Sequence, residues 1–302
     1  MSGEFDLLPP GIAAAIEARF GHIMSVHALS GGMVNTAARV DAASGPLFVK
    51  WKRDAPAALF AREAAGLQLL DGASPLRVPK VLHVAGEASP ECPSFLVLEW
   101  IDVTTPANPD LFAQRLAEGV ATLHASNPSP DAQYGLGYDN FLGALEQSNA
   151  WTSTWPAFYR DQRLSAMLRL GRRDGWLSPS RSRRLETVIE HTEDLLGHSD
   201  TRAEMIHGDL WAGNFVCSPG NNPVLIDPAV HYADREVEMA FIELFGGFPR
   251  RFGEIYRASY PLDPGYPSRR PLLQLYPLLV HLRHFGEEYG PPVDAILARY
   301  SA

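Results

Sequence analysis

The sequence predicts an α+β protein with a small, antiparallel, β-rich amino-terminal lobe and a larger helical carboxy-terminal lobe. Three observations predict it. Short strand-like segments are concentrated before residue 102, helical apolar periodicity dominates from Leu111 onward, and the Thr- and Pro-rich stretch Val103–Pro109 reads as the connector between the two regimes. The lobes are accordingly expected at residues 1–101 and 102–302.

Taken in order, Pro9 to Gly21 reads as a helix opened by prolines and closed by glycine, with Ile12, Ile16 and Phe20 along one side. Val26–Leu29, Thr36–Val40 and Leu47–Trp51 follow as an antiparallel meander, its first turn containing Gly31 and Gly32. Pro56 to Leu70 is helical, with a stripe through Leu59, Gly66, Leu67 and Leu70. Glu63 lies on that stripe, where a carboxylate costs free energy unless a cation meets it, and Lys50 in the third strand is the natural candidate. Val78–Val84 and Phe95–Ile101 complete the strands of the first lobe. Near the other end, Pro271–Phe285 is expected as a core helix through Leu272, Leu275, Leu279 and Leu282.

Composition narrows the function. With 302 residues, 46% of them hydrophobic and 20% charged, the chain can bury a substantial core. A formal net charge of −9 argues against a nucleic-acid backbone as the main partner, since that contact needs clustered cations, and favours a small-molecule ligand. Cys92 and Cys217, far apart, form neither a disulfide framework nor a thiolate metal site, which fits a reducing cytoplasm. Glu4 and Asp6 stand where a signal peptide would carry cations, and no apolar run is long enough to cross a bilayer, so no membrane partner is expected.

The chemistry is concentrated in Met205–Asn214 and Val224–Pro228. Phe215–Cys217 and Val224–Ile226 read as a hairpin, and a turn centred on Gly220-Asn221 would set Asn214 directly opposite Asp227. Paired residues lie about 4.5–5.5 Å apart at Cβ, close enough for an amide oxygen and a carboxylate to share one hard cation. Magnesium suits those ligands, because it takes its remaining ones from water and substrate phosphates. Asp209 is left free to accept a hydrogen bond from a substrate hydroxyl, as an aspartate with an ordinary value of about 3.9 can at neutral pH unless strongly desolvated. A carboxylate, two metal ligands and a phosphate-binding lysine form an adequate set for phosphoryl transfer, which asks mainly for positioning and charge neutralisation.

On these residues the chain resembles the protein-kinase-like superfamily, whose catalytic loop separates an Asp and an Asn as Asp209 and Asn214 are separated and whose later metal-binding Asp corresponds to Asp227. The resemblance implies an ATP and magnesium enzyme. Lys50 would contact the α- and β-phosphates and pair with Glu63. Gly31, Gly32 and Asn35 would belong to the nucleotide-side loop, and Glu99, Trp100 and Ile101 would be the hinge that holds adenine through its backbone. Within that superfamily the chain is similar to the fructosamine kinase, or ketosamine-3-kinase, family over nearly its whole length. The likeness is carried by Ser30–Asn35, Phe48–Lys50, Gln147 to Trp155, Phe158-Tyr159, Arg163-Leu164, His207–Asn214, Ile226–Ala229, Asp234–Glu236 and Glu243–Pro249. It implies phosphorylation of the C3 hydroxyl of a ketosamine, either a small molecule or one linked to lysine. Met33 stands where some members have cysteine, so control of that loop by oxidation is not expected.

Each signal has a plainer reading. Gly31-Gly32 alone is a turn, Lys50 and Glu63 alone are surface charges, and Asp209, Asn214 and Asp227 alone are turn and hairpin-end residues; in combination they favour catalysis. His207 is expected to hold the loop by hydrogen bonds rather than to act as a base. Trp211 is a candidate for stacking on a sugar and Arg235 a candidate substrate-side residue, against core and internal ion-pair readings respectively. Aminoglycoside- or choline-type kinases and a nucleotide-binding pseudokinase are the alternatives. The Phe245–Pro249 segment and the Trp211-containing block favour ketosamines, and the intact Lys50, Glu63, Asp209, Asn214 and Asp227 speak against a pseudokinase.

Overall fold

Pro10 fixes the first turn of helix α1 (Pro10–Phe20), where its missing N–H is not needed, and Gly21 ends the helix at φ 83° by donating its N–H to the Glu17 carbonyl. A computed structural model describes residues 7–29, 35–56, 58–85, 89, 91–197 and 202–301. After α1 come β1 (Ile23–Leu29), β2 (Thr36–Ala42), β3 (Gly45–Lys52), α2 (Leu59–Ala73), β4 (Val81–Ala85) and β5 (Ser94–Glu99). The strands form an antiparallel sheet in the order β1-β2-β3-β5-β4.

The two-residue period of β3 decides what each side of the sheet does. Leu47, Val49 and Trp51 pack with Val26, Val40, Phe95 and Val97 against Ile12 and Ile16 of α1. Phe48 and Lys50 point the other way, paired with Leu98 and Leu96 of β5, toward α2. The lysine therefore leaves the sheet on the face where the Glu63 helix lies.

The helical part runs through α3 (Pro109–Ser126), β6 (Asn140–Leu142), β7 (Leu145–Gln147), α4 (Trp155–Phe158), a π-helical turn (Tyr159–Leu164), α5 (Ser165–Asp174), α6 (Pro179–Glu190), α7 (Thr192–Leu196), β8 (Glu204–Ile206), β9 (Phe215–Ser218), β10 (Asn222–Leu225), β11 (His231–Ala233), α8 (Glu236–Phe245), α9 (Phe252–Ser259), α10 (Tyr266–Leu273), α11 (Leu275–Phe285) and α12 (Gly290–Tyr300). Asn108 caps α3 by accepting the Leu111 N–H at 3.0 Å, with Pro109 in the first turn. Among the described residues no helix is long and apolar enough to cross a membrane.

Two expectations change. The β9–β10 hairpin pairs Ser218 with Asn222 and Phe215 with Leu225, so Asn214 faces Ile226, whose N–H donates to its carbonyl at 3.0 Å, and not Asp227. The cause is a three-residue loop, Pro219-Gly220-Asn221, with Gly220 and Asn221 at φ 83° and 59°, where a two-residue turn was expected. Pro271–Phe285 is likewise not one helix. It breaks at Gln274, because Pro277 has no N–H to continue the ladder back to Leu273.

Candidate active site

Residues far apart in the chain meet at Lys50. Its ammonium, almost fully buried, lies 2.8 Å from Asp227 Oδ1 and in ion-pair contact with Glu63 Oε1. Burial alone would depress this lysine, yet the charges of Asp227 and Glu63 and hydrogen bonds to both outweigh it and hold it above the ordinary lysine range. Burial pushes Glu63 upward, with Lys50 pulling against it. Asp227 differs from both in exposure, with about half of its side chain (48%) open to solvent. It sits at φ 53°, a left-handed conformation that aspartate tolerates better than most residues and that redirects the chain directly after β10. That turn brings Asp227 to the site despite the one-residue offset of the hairpin.

The loop from His207 to Asn214 leaves β8, which pairs with β11 through Ile206 and His231. Gly208, at φ 84°, passes so close to the Ala229 carbonyl that a Cβ there would fall 2.1 Å from its oxygen; no other residue fits. His207 donates from Nε2 to the Ile226 carbonyl at 3.0 Å and accepts the Asp209 N–H on Nδ1 at 3.3 Å, the bracing role expected of it. Burial lowers its pKa and keeps it neutral, as the acceptor role requires. Asn214 donates from Nδ2 to the Asp209 carbonyl at 2.7 Å and to Asp209 Oδ2 at 2.9 Å, so its Oδ1 faces away from that carboxylate. Burial, then the charge of Asp227, pushes Asp209 well above the ordinary aspartate range, against the hydrogen bond from Asn214. The expectation of an ordinary aspartate is corrected on this point.

Glu238, which the sequence reading passed over, anchors the loop. Its buried carboxylate accepts the His207 N–H at 3.1 Å and the Gly208 N–H at 2.6 Å. It also accepts His124 Nε2–H at 2.8 Å. His124 Nδ1 in turn accepts the Tyr256 hydroxyl at 2.8 Å, which itself accepts from Arg235 at 3.0 Å. The signal available in sequence was slight: Glu236, Glu238 and Glu243 are carboxylates within the otherwise apolar helix α8.

Arg235 belongs to this interior network, its donors committed to protein partners, which favours the internal ion-pair reading over the substrate-side one. Its guanidinium lies 3.5 Å from Glu204, donates to the Tyr260 and Pro261 carbonyls, and stacks 3.6 Å from the Tyr260 ring centroid. Trp211 is more than one-third exposed, its ring lying over Gly213 beside the loop. Gly247, in the Phe245–Pro249 segment, lies against Ala212 of the same loop. A cavity of about 30 Å³ beneath Gly208, lined by Gln147, Arg163, Glu238 and Tyr276 among others, has room for water and not for a sugar. An acceptor must therefore approach from outside that cavity.

Of the nucleotide-side candidates, Gly31 and Gly32 lie outside the described residues. Asn35, just before β2, is half-buried, and its Oδ1 has no hydrogen-bond partner among the described residues. Glu99 ends β5 and pairs with Leu47, its carboxylate 2.6 Å from Arg77. Trp100 donates from Nε1 to Asp102 at 2.9 Å under the Arg39 guanidinium, and Ile101 is buried. The chain thus crosses from sheet to helical part along the backbone of these three residues.

Asn214 Oδ1 and the half-exposed Asp227 carboxylate are hard oxygen ligands of the kind magnesium takes, and the set fits a nucleotide-bound ion. Among the described residues no three His, Cys, Asp or Glu side chains gather as an all-protein cage would need. Two protein oxygen ligands leave the remaining positions of such an ion to other donors, such as water and phosphates.

The model of the family described as fructosamine kinase matches residues 11–302. A probable ketoamine kinase of Lactiplantibacillus plantarum is 35% identical over 279 residues, covering 92% of this chain and 95% of the relative. The chloroplastic protein-ribulosamine 3-kinase of Arabidopsis thaliana is 31% identical, over 94% of this chain and 85% of the relative. A crystal structure of a candidate fructosamine-3-kinase from Thermobifida fusca superposes with TM-score 0.82 at 33% identity, covering 97% of this chain and 98% of the other. An aminoglycoside phosphotransferase superposes with TM-score 0.65 at 18% identity, a likeness of fold alone.

Proposed function

The chain belongs to the fructosamine kinase family, and from that premise we propose that it transfers the γ-phosphoryl group of ATP to the C3 hydroxyl of a ketosamine, free or linked to lysine, in the cytoplasm. The observation that carries this reading is the convergence of Lys50, Glu63 and Asp227 beside the Asn214–Asp209 pair, which supplies a phosphate-side cation, oxygen ligands and a carboxylate next to them.

In this reading Lys50, fixed by Glu63, meets the α- and β-phosphates, and the Glu99–Ile101 backbone receives adenine, with Gly31, Gly32 and Asn35 on the phosphate side. Asn214 and Asp227 would hold magnesium, which neutralises phosphate charge. Asp209 accepts the hydrogen bond of the acceptor hydroxyl and aims its oxygen at phosphorus; Asn214 keeps that carboxylate turned toward the site. Trp211, exposed at the loop, offers a face on which a sugar can stack.

The test is a panel of acceptors with purified protein, ATP and magnesium, the products read by phosphorus NMR. Fructosyl- and ribulosyl-lysine are expected to give a C3 phosphate. Turnover of an aminoglycoside or of choline far above either would overturn the assignment.

A further inference from the structure

Tyr159 opens the π-helical turn after α4, fully buried, and its hydroxyl sits inside the break between α10 and α11. It donates to the Leu272 carbonyl at 2.7 Å and accepts the Tyr276 N–H at 3.3 Å. Those two backbone groups are four residues apart and would bond each other in an unbroken helix, so one phenol oxygen stands in for the rung. Pro277 accounts for the bond lost at Leu273, and Tyr159 occupies the one before it. Tyr276 is held at its other end as well, its hydroxyl donating to Gln147 Oε1 at 3.0 Å. Gln147 is itself fixed, since its Nε2 donates to Asn140 Oδ1 at 2.9 Å, and Asn140 donates in turn to the Val230 carbonyl at 2.9 Å, a short way beyond Asp227. A side chain inserted in a helical ladder sets the direction of the helix past that point. The course of α11 is therefore set from outside the helix, by Tyr159.

What α11 carries lies beside the catalytic loop. His281 stacks on Phe245, the last residue of α8, with ring centroids 4.4 Å apart. Two residues on, Gly247 at φ 78° lies so near Ala212 that a Cβ there would fall 2.5 Å from the alanine methyl, next to the exposed Trp211. A change in the direction of α11 would thus be passed through Phe245–Gly247 to the outer side of the loop. We propose that the hydroxyls of Tyr159 and Tyr276 are positioning groups for the acceptor, fixing the angle of α11 across the break and with it the wall beside Trp211, while leaving the nucleotide side untouched. The hydroxyls and not the rings carry this role. The Tyr159 ring fills core beside Trp155, at 5.4 Å between centroids, and a phenylalanine ring would fill it equally well.

Tyr159→Phe removes one oxygen and keeps the packing. Hydrogen exchange on the ligand-free full chain, read over residues 274–282, is expected to quicken at least about fivefold relative to α12, because the Tyr276 N–H and the Leu272 carbonyl lose their shared partner. The acceptor role rests on the phosphotransfer reading and has its own readout. With the preferred acceptor, Tyr159→Phe should raise acceptor KM about two- to tenfold while kcat and the KM for ATP stay as in the parent, and Tyr276→Phe should move acceptor KM in the same direction. The control is Tyr300→Phe, whose hydroxyl donates to the Ser268 carbonyl of α10 at 2.8 Å, away from the break. It should lower Tm by a similar amount and leave acceptor KM alone. Unchanged exchange or unchanged acceptor KM in Tyr159→Phe overturns the proposal, and so does an equal rise in Tyr300→Phe. A parent without kinase activity sinks the phosphotransfer reading and the acceptor role with it, whereas the exchange comparison still decides whether the Tyr159 hydroxyl bridges the break.

Discussion

At Asp209 two requirements meet in one carboxylate. It must accept a hydrogen bond from an alcohol, which favours its ionised form, while burial and the neighbouring Asp227 favour its neutral one. Asn214 resolves part of the conflict by donating to Oδ2, and a cation beside Asp227 would relieve more. Asp209→Asn keeps shape and an acceptor oxygen for Asn214, so nucleotide affinity should stay within about twofold while turnover falls on the order of a hundredfold or more. Calorimetry and steady-state rates on one preparation check it, and equal turnover would remove Asp209 from its role. Arg235 poses the opposite case. Its donors are committed to Glu204, Tyr256, Tyr260 and Pro261, so Arg235→Met should leave acceptor KM unchanged and lower the unfolding free energy by about 3 kcal/mol in urea, through an unpaired Glu204. A raised acceptor KM with intact stability would return it to the substrate side. Sequence could name Arg235 as charged and near the motif, but not say that Tyr260 folds back over it.

Helix α8 contributes most through one residue. Burial works to raise the Glu238 carboxyl, but the hydrogen bonds from His124 and from the Gly208 N–H hold it below the ordinary glutamate range. A lowered folded-state value means that its stabilisation is present in full above the ordinary range and is lost as pH falls through the folded value. Glu238→Gln should therefore cost about 1–3 kcal/mol near neutral pH, with the gap to the parent narrowing from about pH 5 toward pH 3. Urea titrations across that interval read it directly, and a gap that widens toward acid would contradict the anchor. The elements also mark where sequence reasoning stops. The alternation of β3 and the stripe of α2 were enough to pair Lys50 with Glu63, because both sit on regular elements whose period fixes their direction. The β9–β10 hairpin was misplaced by one residue, since Gly220-Asn221 suits a two-residue turn as well as the three-residue loop that forms. Glu238 escaped because its partners are backbone N–H groups thirty or so residues away, which no local pattern records.

In the whole molecule a bound nucleotide would lie between the sheet and the helical part. Lys50 and the Glu99–Ile101 crossing come from the sheet, Asn214 and Asp227 from the helical part, and the contact of Lys50 with Asp227 is a direct polar link between the two at the site. A ligand that binds only this assembled state stabilises it by about 2.7 kcal/mol at a hundredfold excess over Kd, which for a chain of this size is a rise in Tm of several degrees. Because Asn214 and Asp227 would reach the phosphates through magnesium, most of that rise should vanish with a chelator or in Asp227→Ala. It should persist in Asp209→Asn, whose carboxylate serves the acceptor and not the nucleotide. Differential scanning calorimetry with ATP, with and without magnesium, makes the comparison on three proteins. A shift independent of magnesium would place the nucleotide away from Asn214 and Asp227, and a shift lost in Asp209→Asn would assign that residue to nucleotide binding instead of to the hydroxyl.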